Sequence, residues 1–423
     1  MRNLGLLWVG QFVSQAGDGF FQVTLPFLVL LLAGEDAGTK TGVVMLANFL
    51  PFLVIGPFFG ALADRMPQRR LMIASDLARG LVVLAVPAAF VLGRLSWPLV
   101  GAVSFFLATA ATLFNPARDA LLPRLAQGRV LLRVNALFQT SSQLALLAGA
   151  LGVGFLLGFD ETAAREAIES GDPGREIARI VRLYWVNAAT YGVSLATLAF
   201  LALPRGAGVP TPPATRPWRD VHEGLAHAGR SGLLRGLLFI TAADNFFIMG
   251  PAIIGANLLV KDTFGLGPGH VGLLEGALVA GWLLGTLVLY SFGRAWAKGR
   301  MLIAGMVLDG ATYVPFFWID DYALLLPTIA FHGFWIPFIQ VPRTTLVQER
   351  VPREMLGRIF SLINLTFVGF TALSLLATGW AGDALAGPLG KSGAPPVLFL
   401  AGGLGGALCG LLGLAFRDLR GAR

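Results

Sequence analysis

The feature that most constrains the fold is a run of about twenty apolar residues, which recurs about a dozen times and is long enough to span a bilayer as a helix. Runs such as 81–92 and 397–416 are apolar on every face, whereas the strands of a transmembrane barrel alternate between polar and apolar residues. Only 13% of the residues are charged, against about 25% in a typical soluble domain. The sequence therefore predicts an all-α polytopic membrane protein.

Twelve transmembrane helices account for these runs. The first run follows a single basic residue, lacks a small-residue cleavage site and contains several polar side chains, so it is typical of a retained span rather than of a signal peptide. We place the spans at residues 4–32, 42–63, 71–93, 97–116, 134–159, 183–203, 236–260, 271–292, 301–319, 322–342, 359–385 and 396–416.

The distribution of positive charge predicts the orientation of the chain. Most of the 32 Lys and Arg residues fall in alternate connectors, on the side of the membrane that holds the amino terminus. Because short connectors rich in Lys and Arg stay in the cytoplasm, we expect both termini to be cytoplasmic in a multi-pass protein of the cell membrane, the inner membrane of a bacterium. The net charge of +8 follows from this topology and does not indicate a nucleic-acid partner. We expect the protein to lie in the lipid bilayer as a monomer.

The two halves of the chain share an internal repeat. Residues 15–21 match residues 241–247, so Asp18 corresponds to Asp244. A connector rich in proline and arginine separates the halves and is typical of a linker. The repeat predicts two pseudo-symmetric six-helix bundles, an N-terminal bundle at 1–203 and a C-terminal bundle at 236–423, joined by a cytoplasmic linker at 204–235.

A family resemblance rests on two connectors. Residues 60–70 read GALADRMPQRR, which resembles the signature loop of the major facilitator superfamily, with Pro67 in place of its second glycine. Residues 114–123 read FNPARDALLP and residues 135–137 read NAL, a pattern similar to the subgroup that contains the enterobactin exporter, macrolide efflux proteins and the lysophospholipid transporter. The resemblance implies a fold in which spans 1, 4, 7 and 10 line a central cavity.

Three carboxylates inside predicted spans are candidates for proton coupling: Asp18, Asp244 and Glu275. An ionisable group at membrane depth is costly and usually faces a cavity or a partner. In the functional reading Asp18 or Asp244 binds a proton in one state and releases it in another, and Glu275 gates the pathway or carries protons. The alternatives are interhelical hydrogen bonding for the aspartates and an interfacial position for Glu275. Asp309 is expected to serve in packing or as a partner to another helix, and Asp76 and Arg79 are expected to form a structural ion pair.

Polar amides accompany these carboxylates. On span 1 they recur at steps of four, three and four around Asp18 and so share its helix face. We predict that a substrate cavity includes Gln11, Gln15, Gln22, Gln139, Gln143, Asn245 and Asn364, with interhelical hydrogen bonding as the alternative. The resemblance further implies a cytoplasmic gate formed by Gly60, Asp64, Arg65, Arg69, Arg70 and Arg118, although the arginines of the signature loop also fit a role in topology alone.

The remaining motifs exclude enzymatic chemistry. The four histidines are scattered, Cys409 is the single cysteine, and no phosphate-binding glycine loop is present, so we expect no catalytic residue, no metal and no cofactor, with a proton gradient as the drive. We predict a secondary active transporter that exports small amphipathic organic compounds, such as drugs, macrolides or siderophores, by alternating access. The alternatives are a transporter of lysophospholipids or other lipids, a proton-coupled importer, and a non-transporting receptor or scaffold.

Overall fold

The computed structural model describes residues 2–55, 66–125, 128–157, 173–201, 217–292 and 296–422. Three of the predicted gate residues, Gly60, Asp64 and Arg65, lie outside these ranges, and so does the side chain of Gln139. The chain divides into two compact units, of which unit 1 comprises residues 1–215 with 265–272 and unit 2 comprises residues 216–264 with 273–423.

The described residues of unit 1 form helices joined by short connectors. Its helices are α1 (Arg2–Leu32), α2 (Ala37–Val54), α3 (Gln68–Val83), α4 (Ala85–Val91), α5 (Trp97–Leu125), α6 (Gly128–Leu157) and α7 (Gly174–Ala199). Only Leu84 separates α3 from α4, and the two form one continuous apolar stretch. Gly93 follows this stretch with a φ of 64°, the left-handed conformation that commonly ends a helix and that glycine adopts without steric cost.

Unit 2 repeats this helical plan. Its helices are α8 (Pro217–Arg230), α9 (Gly232–Phe247), α10 (Pro268–Phe292), α11 (Lys298–Ala311), α12 (Tyr322–Arg350), α13 (Arg353–Leu412) and α14 (Arg417–Arg420). The Ser231 side chain caps α9 by accepting from Leu234 N, and the Asp321 carboxylate caps α12 by accepting from Ala323 N at 2.8 Å. Beyond α9 the chain stays helical to Thr263, with wider π turns that begin at Pro251.

The described residues contain ten helical stretches that are long and apolar enough to cross a membrane. The last of them, Arg358–Ala415, is divided by Gly390, whose φ of 74° interrupts the helix. Helix α7 is not among the ten, because polar side chains such as Asn187 and Ser194 lower its mean hydropathy. With α7 and the division at Gly390 included, the helices accord with the twelve predicted spans.

Several helices begin or end beyond the predicted spans. Helix α7 begins at Gly174 rather than at 183, because its first turns are polar and the Arg179–Glu176 ion pair, 3.0 Å from Nη1 to Oε2, supports them. Residues 217–230 of the connector placed at 204–235 form α8. Hydropathy marks only the part of a helix that lies in the membrane, so polar helical turns escape it.

Close backbone approach at glycines joins the helices of unit 1. Gly19 of α1 and Gly149 of α6 face each other, and a Cβ added at Gly149 would overlap the Ala16 carbonyl oxygen. Small residues that let helices approach in this way stabilise membrane bundles through van der Waals contact. A buried apolar cluster that includes Leu7, Met72 and Leu121 connects α1, α3 and α5 at another level.

Unit 2 has its own core. A buried cluster that includes Ile240, Met306, Leu346 and Leu362 draws together α9, α11, α12 and α13. Each unit therefore positions polar residues on a rigid helical framework.

Candidate functional site

A buried group of charged side chains lies in unit 1, where α1, α3 and α7 meet. Arg79 of α3 donates from Nη1 to Asp18 Oδ2 at 3.3 Å and from Nη2 to Asp76 Oδ1. Tyr191 of α7 donates its hydroxyl to Asp18 Oδ1, and Ser194 Oγ donates to Asp76 Oδ2 at 2.6 Å. We call these five side chains the Arg79 cluster.

The members of the Arg79 cluster differ in exposure. The Asp76 side chain is fully buried and that of Arg79 is 6% exposed, whereas the Asp18 side chain is 26% exposed. The Arg79 guanidinium also lies 4.8 Å from the centroid of the Phe114 ring and 4.7 Å from that of Tyr191, an arrangement that stabilises a cation. Asp18 is therefore the charged member most accessible to protons or a ligand.

The charges of the Arg79 cluster do not balance. Two carboxylates share one guanidinium, so the cluster carries a net charge of −1 when both carboxylates are ionised. A guanidinium keeps its charge in proteins, so a proton that enters the cluster must bind to a carboxylate. Because uncompensated charge is costly in a low-dielectric interior, one proton on Asp18 would make the cluster neutral. The geometry is suited to binding and releasing a single proton.

Local sequence explains why these groups meet. Asp76 and Arg79 are three residues apart and share one face of α3. On α7, Tyr191 and Ser194 share another face by the same spacing. Gly17 precedes Asp18, and a Cβ added there would overlap the side chain of Thr190 on α7. The absence of a side chain at position 17 thus lets α1 approach α7 closely.

Sequence reasoning identified part of the Arg79 cluster. The predicted ion pair of Asp76 with Arg79 is confirmed. The link from Arg79 to Asp18 was missed, because it depends on the packing of α1 against α3 and α7. The one available signal was the polar face of α7, which carries Tyr191 and Ser194. The role of Asp18 in proton coupling stays a prediction.

In unit 2, Asp244 of α9 also lies near an arginine. Arg343 of α12 donates from Nη1 to Thr241 Oγ1 at 3.4 Å, less than one helical turn before Asp244, and its guanidinium lies within electrostatic range of the Asp244 carboxylate. Asp244 is half-buried. Each unit therefore places an aspartate of its first membrane helix near a cation from another helix.

Glu275, the third predicted proton-coupling residue, lies on α10 in unit 2. Its side chain is half-buried, and it forms no hydrogen bond or ion pair with another residue in the part of the chain that the structure describes. The structure therefore gives it no structural partner, and its role stays a prediction.

The predicted cavity amides fall into different environments. Asn245 is buried and joins two helices, since its Nδ2 donates to Thr241 O at 2.7 Å and its Oδ1 accepts from Thr371 Oγ1 at 3.2 Å. Gln11 is buried, with neither amide atom hydrogen-bonded among the described residues. The others differ in exposure: Gln15 and Gln143 are half-buried, and Gln22 and Asn364 are exposed. Asn245 thus has the interhelical contact that was the alternative to a place in the cavity.

The described gate residues have contacts inside unit 1. Arg69 donates to two carbonyls at the end of α7, from Nε to Leu198 O at 2.8 Å and from Nη2 to Ala199 O at 2.6 Å. Arg118 pairs with the neighbouring Asp119 at 2.8 Å. Arg70 is exposed. Arg69 therefore satisfies helix-terminal carbonyls, and the gating role of these residues stays a prediction.

Metal binding has no support in the part of the chain that the structure describes. No group of three or more His, Cys, Asp or Glu side chains in these residues is placed to hold a metal ion.

Sequence comparisons match this chain to one family model and to named efflux proteins. A family model described as Major Facilitator Superfamily matches residues 7–375. Macrolide efflux protein A of Streptococcus pyogenes is 26% identical over 362 residues, which cover 84% of this chain and 83% of that protein. The multidrug efflux pump Tap of Mycolicibacterium fortuitum is 25% identical over 426 residues, which cover 98% of this chain and 96% of that protein.

Solved structures share the fold at low identity. A bacterial homologue of the iron transporter ferroportin in an inward-facing state matches with a TM-score of 0.74 and 14% identity, covering 98% of each chain. A bacterial homologue of the human lysosomal transporter Spinster matches with a TM-score of 0.71 and 13% identity, covering 99% of this chain and 95% of that chain. At such identities the likeness establishes the fold, and function has to be argued from the site.

Proposed function

The chain belongs to the Major Facilitator Superfamily and is a multi-pass membrane transporter rather than an enzyme, and on this premise we propose that it exports small amphipathic organic compounds in exchange for protons. The proposed substrates follow from the relatives, which are named for macrolide and multidrug efflux. The bilayer is the inner membrane of a bacterium, both termini are cytoplasmic, and the transporter acts as a monomer.

The observation that carries the proposal is the partly exposed carboxylate of Asp18 beside buried Arg79. With Asp18 ionised, the carboxylate accepts from Arg79 and Tyr191 and the Arg79 cluster carries a net charge of −1. A proton on Asp18 weakens its ion pair with Arg79, while the buried pair of Arg79 with Asp76 remains. The cluster then has two states that differ by one proton and one ion pair.

Exchange requires that the two states differ in their preferred conformation, because a ligand shifts an equilibrium only by its differential affinity for the two conformations. A neutral cluster tolerates exclusion from water better than a charged one. Protonation of Asp18 therefore favours the conformation that seals the cluster, and loss of the proton favours the one that opens it. A substrate that binds the deprotonated state is then exchanged for a proton.

In unit 2, Asp244 of the first membrane helix and Arg343 lie within electrostatic range of each other. Two such pairs fit a carrier in which repeated units move against a shared substrate site. Asp18 is the first residue to test, because its ion pair and both of its hydrogen-bond donors are defined.

The test is export of ethidium by proteoliposomes that contain the purified chain and an imposed proton gradient. We expect wild-type protein to move ethidium against its gradient, and we expect Asp18→Asn, which keeps the shape of the side chain, to reduce gradient-driven movement at least tenfold. Asp320→Asn is the matched control, because Asp320 is exposed between α11 and α12. A protonophore should abolish the wild-type activity.

The alternatives give different results in the same vesicles. Movement of ethidium with the proton flux rather than against it identifies an importer. Transfer of a fluorescent lysophospholipid, with no movement of ethidium or of a fluorescent macrolide, identifies a lipid transporter. Ligand binding without movement of any of the three, in wild type and Asp18→Asn alike, identifies a receptor or scaffold and overturns the proposal.

A further inference from the structure

Unit 2 contains a buried carboxylate for which the proposed exchange has no role. Asp309 lies on α11, and its side chain is 1% exposed. Neither carboxylate oxygen has a hydrogen-bond partner in the described part of the chain. An ionised carboxylate buried in this way is costly unless a cation compensates it, so either a proton or a neighbouring positive charge has to neutralise Asp309.

The nearest cationic candidate is His332 of α12. Its Nδ1 lies 3.6 Å from Asp309 Oδ1, within the range of an ion pair but beyond a hydrogen bond. The Thr312 hydroxyl donates to the Asp309 backbone oxygen at 2.6 Å, and the same hydroxyl oxygen lies 2.9 Å from His332 Nδ1. His332 Nδ1 also lies 3.2 Å from the Asp309 backbone oxygen, so this ring nitrogen is held beside both the backbone and the carboxylate of Asp309.

Aromatic side chains enclose this pair. The Tyr313 ring stacks on the His332 ring with centroids 4.1 Å apart, and Phe399 packs edge-on against Tyr313 at 5.0 Å. The Tyr313 hydroxyl has no hydrogen-bond partner among the described residues. A polar pair within an aromatic enclosure is held away from water, so its electrostatic interactions are strong.

Other charged groups of unit 2 face this site. Asp244 of α9 lies within electrostatic range of Asp309, and Asp244 and Glu275 of α10 lie within range of the Tyr313 hydroxyl. Arg343 of α12 interacts electrostatically with Asp244. The region therefore holds an excess of carboxylates over cations, and His332 is the one titratable base among the groups described in it.

The internal repeat sets this site apart from unit 1. Residues 70–73 and 300–303 correspond in sequence, and at the same offset Arg79 corresponds to Asp309. At the position where unit 1 has the permanent cation Arg79, unit 2 therefore has a carboxylate. The charge of Asp309 has to be compensated by a proton of its own or by a neighbouring group such as His332.

We propose that Asp309 and His332 form a second proton-binding pair within unit 2, separate from the Arg79 cluster. The pair binds one proton, which either partner can carry. On the carboxylate it gives a carboxylic acid beside a neutral imidazole, and transfer from the carboxyl oxygen to the imidazole nitrogen gives a carboxylate beside an imidazolium, with no change in total charge. Release of that proton leaves a net charge of −1. The role of this pair in transport rests on the proposed exchange, but its protonation can be measured without any substrate.

The experiment is an infrared pH titration of the full-length protein in phospholipid nanodiscs, with no transported compound present. We expect wild-type protein to show a carbonyl stretch of a buried carboxylic acid that Asp309→Asn removes and that Asp309→Glu keeps at a changed frequency. We expect His332→Gln to keep the band and to move the pH at which it titrates. Asp320→Asn should leave the band unaltered, since Asp320 is exposed.

Two results overturn the proposal: an Asp309→Asn spectrum identical to that of the wild type, or a band that titrates unchanged in His332→Gln. Variants that retain the helical circular dichroism spectrum are folded. If Asp309→Asn does not fold, Asp309→Glu still tests the proposal through the changed frequency of the band. If the band behaves as expected but wild-type proteoliposomes fail to exchange ethidium for protons, the proton pair stands and the proposed function fails. If the band does not respond to these substitutions but wild-type proteoliposomes exchange ethidium for protons, the proton pair fails and the proposed function stands.

Discussion

Arg79 Nη1 lies 3.3 Å from Asp18 Oδ2 while Nη2 of the same guanidinium pairs with Asp76, so one cation on α3 forms ion pairs with carboxylates on two helices. A contact shared in this way couples the position of α1 to that of α3. The protonation state of Asp18 therefore depends on contacts with α3 and α7 as well as on α1.

Removal of the shared cation should destabilise unit 1. Arg79→Ala leaves two buried carboxylates without compensation, and breaking a buried pair in this manner typically costs about 3–5 kcal/mol. We expect a corresponding fall in the free energy of unfolding, measured by denaturation in mixed micelles. Arg70→Ala is the control, because Arg70 is exposed, and equal stability of the two variants would contradict the shared-cation account.

The Tyr191 hydroxyl can be removed without disturbing the ring over Arg79. Tyr191→Phe eliminates the donor to Asp18 Oδ1, and a hydrogen bond to a charged group contributes about 1.5–3 kcal/mol. Because this bond positions the Asp18 carboxylate, we expect proton-driven ethidium export to fall about tenfold, which corresponds to about 1.4 kcal/mol. Export at the wild-type rate would show that Arg79 alone positions Asp18.

Asp244 and Arg343 should be energetically coupled. Arg343→Met leaves the Asp244 charge half-buried without its neighbouring cation, whereas the double variant with Asp244→Asn removes both charges. Residues that interact electrostatically within one polar network typically show interaction energies of about 0.5–3 kcal/mol in a double-mutant cycle. We expect the double variant to be more stable than Arg343→Met, and strictly additive unfolding free energies would disprove the coupling.

Close contact between α1 and α6 predicts intolerance of larger residues at Gly149. A Cβ at this position would overlap the Ala16 carbonyl, and overpacking of this kind typically costs about 1–3 kcal/mol. Gly149→Ala should therefore lower the thermal unfolding temperature in detergent. Gly192→Ala is the matched control, since no atom outside its own helix lies within 4 Å of a Cβ built there, and it should leave that temperature unchanged or raise it.

Arg69 offers a test of capping against gating. Its two hydrogen bonds to the Leu198 and Ala199 carbonyls support the end of α7, so Arg69→Ala should reduce stability by about 1.5–3 kcal/mol. Arg69→Lys, which keeps the positive charge, should restore only part of it. A variant of wild-type stability that transports poorly would instead support the gate.

The sequence is most informative where a single helix determines the outcome. Apolar runs locate the membrane helices, and the spacing of Asp76 and Arg79 predicts their ion pair within α3. Contacts between helices, such as that from Arg79 to Asp18, were not predicted, because hydropathy does not specify which helices pack together or at what rotation. The repeat pairs Asp18 with Asp244 correctly as sequence, yet it does not reveal that Asp309 replaces the cation of unit 1.

Short-range backbone geometry explains the remaining differences. Gly390 interrupts a helical stretch with a positive φ, which apolar composition alone does not locate. Helix α8 forms within a connector whose prolines and arginines indicate a linker, because its four-residue periodicity is that of a helix on a surface rather than in a membrane. The role of Asn245 likewise depends on Thr371, a residue of a distant helix.

The Phe114 and Tyr191 rings beside Arg79 affect how the cluster responds to the membrane potential. The Arg79 guanidinium beside them keeps its charge, so the cluster alternates between −1 and neutral as Asp18 loses and gains its proton. The membrane potential acts on a charge with about 2.3 kcal/mol per 100 mV, and a negative cell interior repels the deprotonated cluster. The membrane potential therefore assists the carrier only in the half of the transport cycle in which Asp18 is deprotonated.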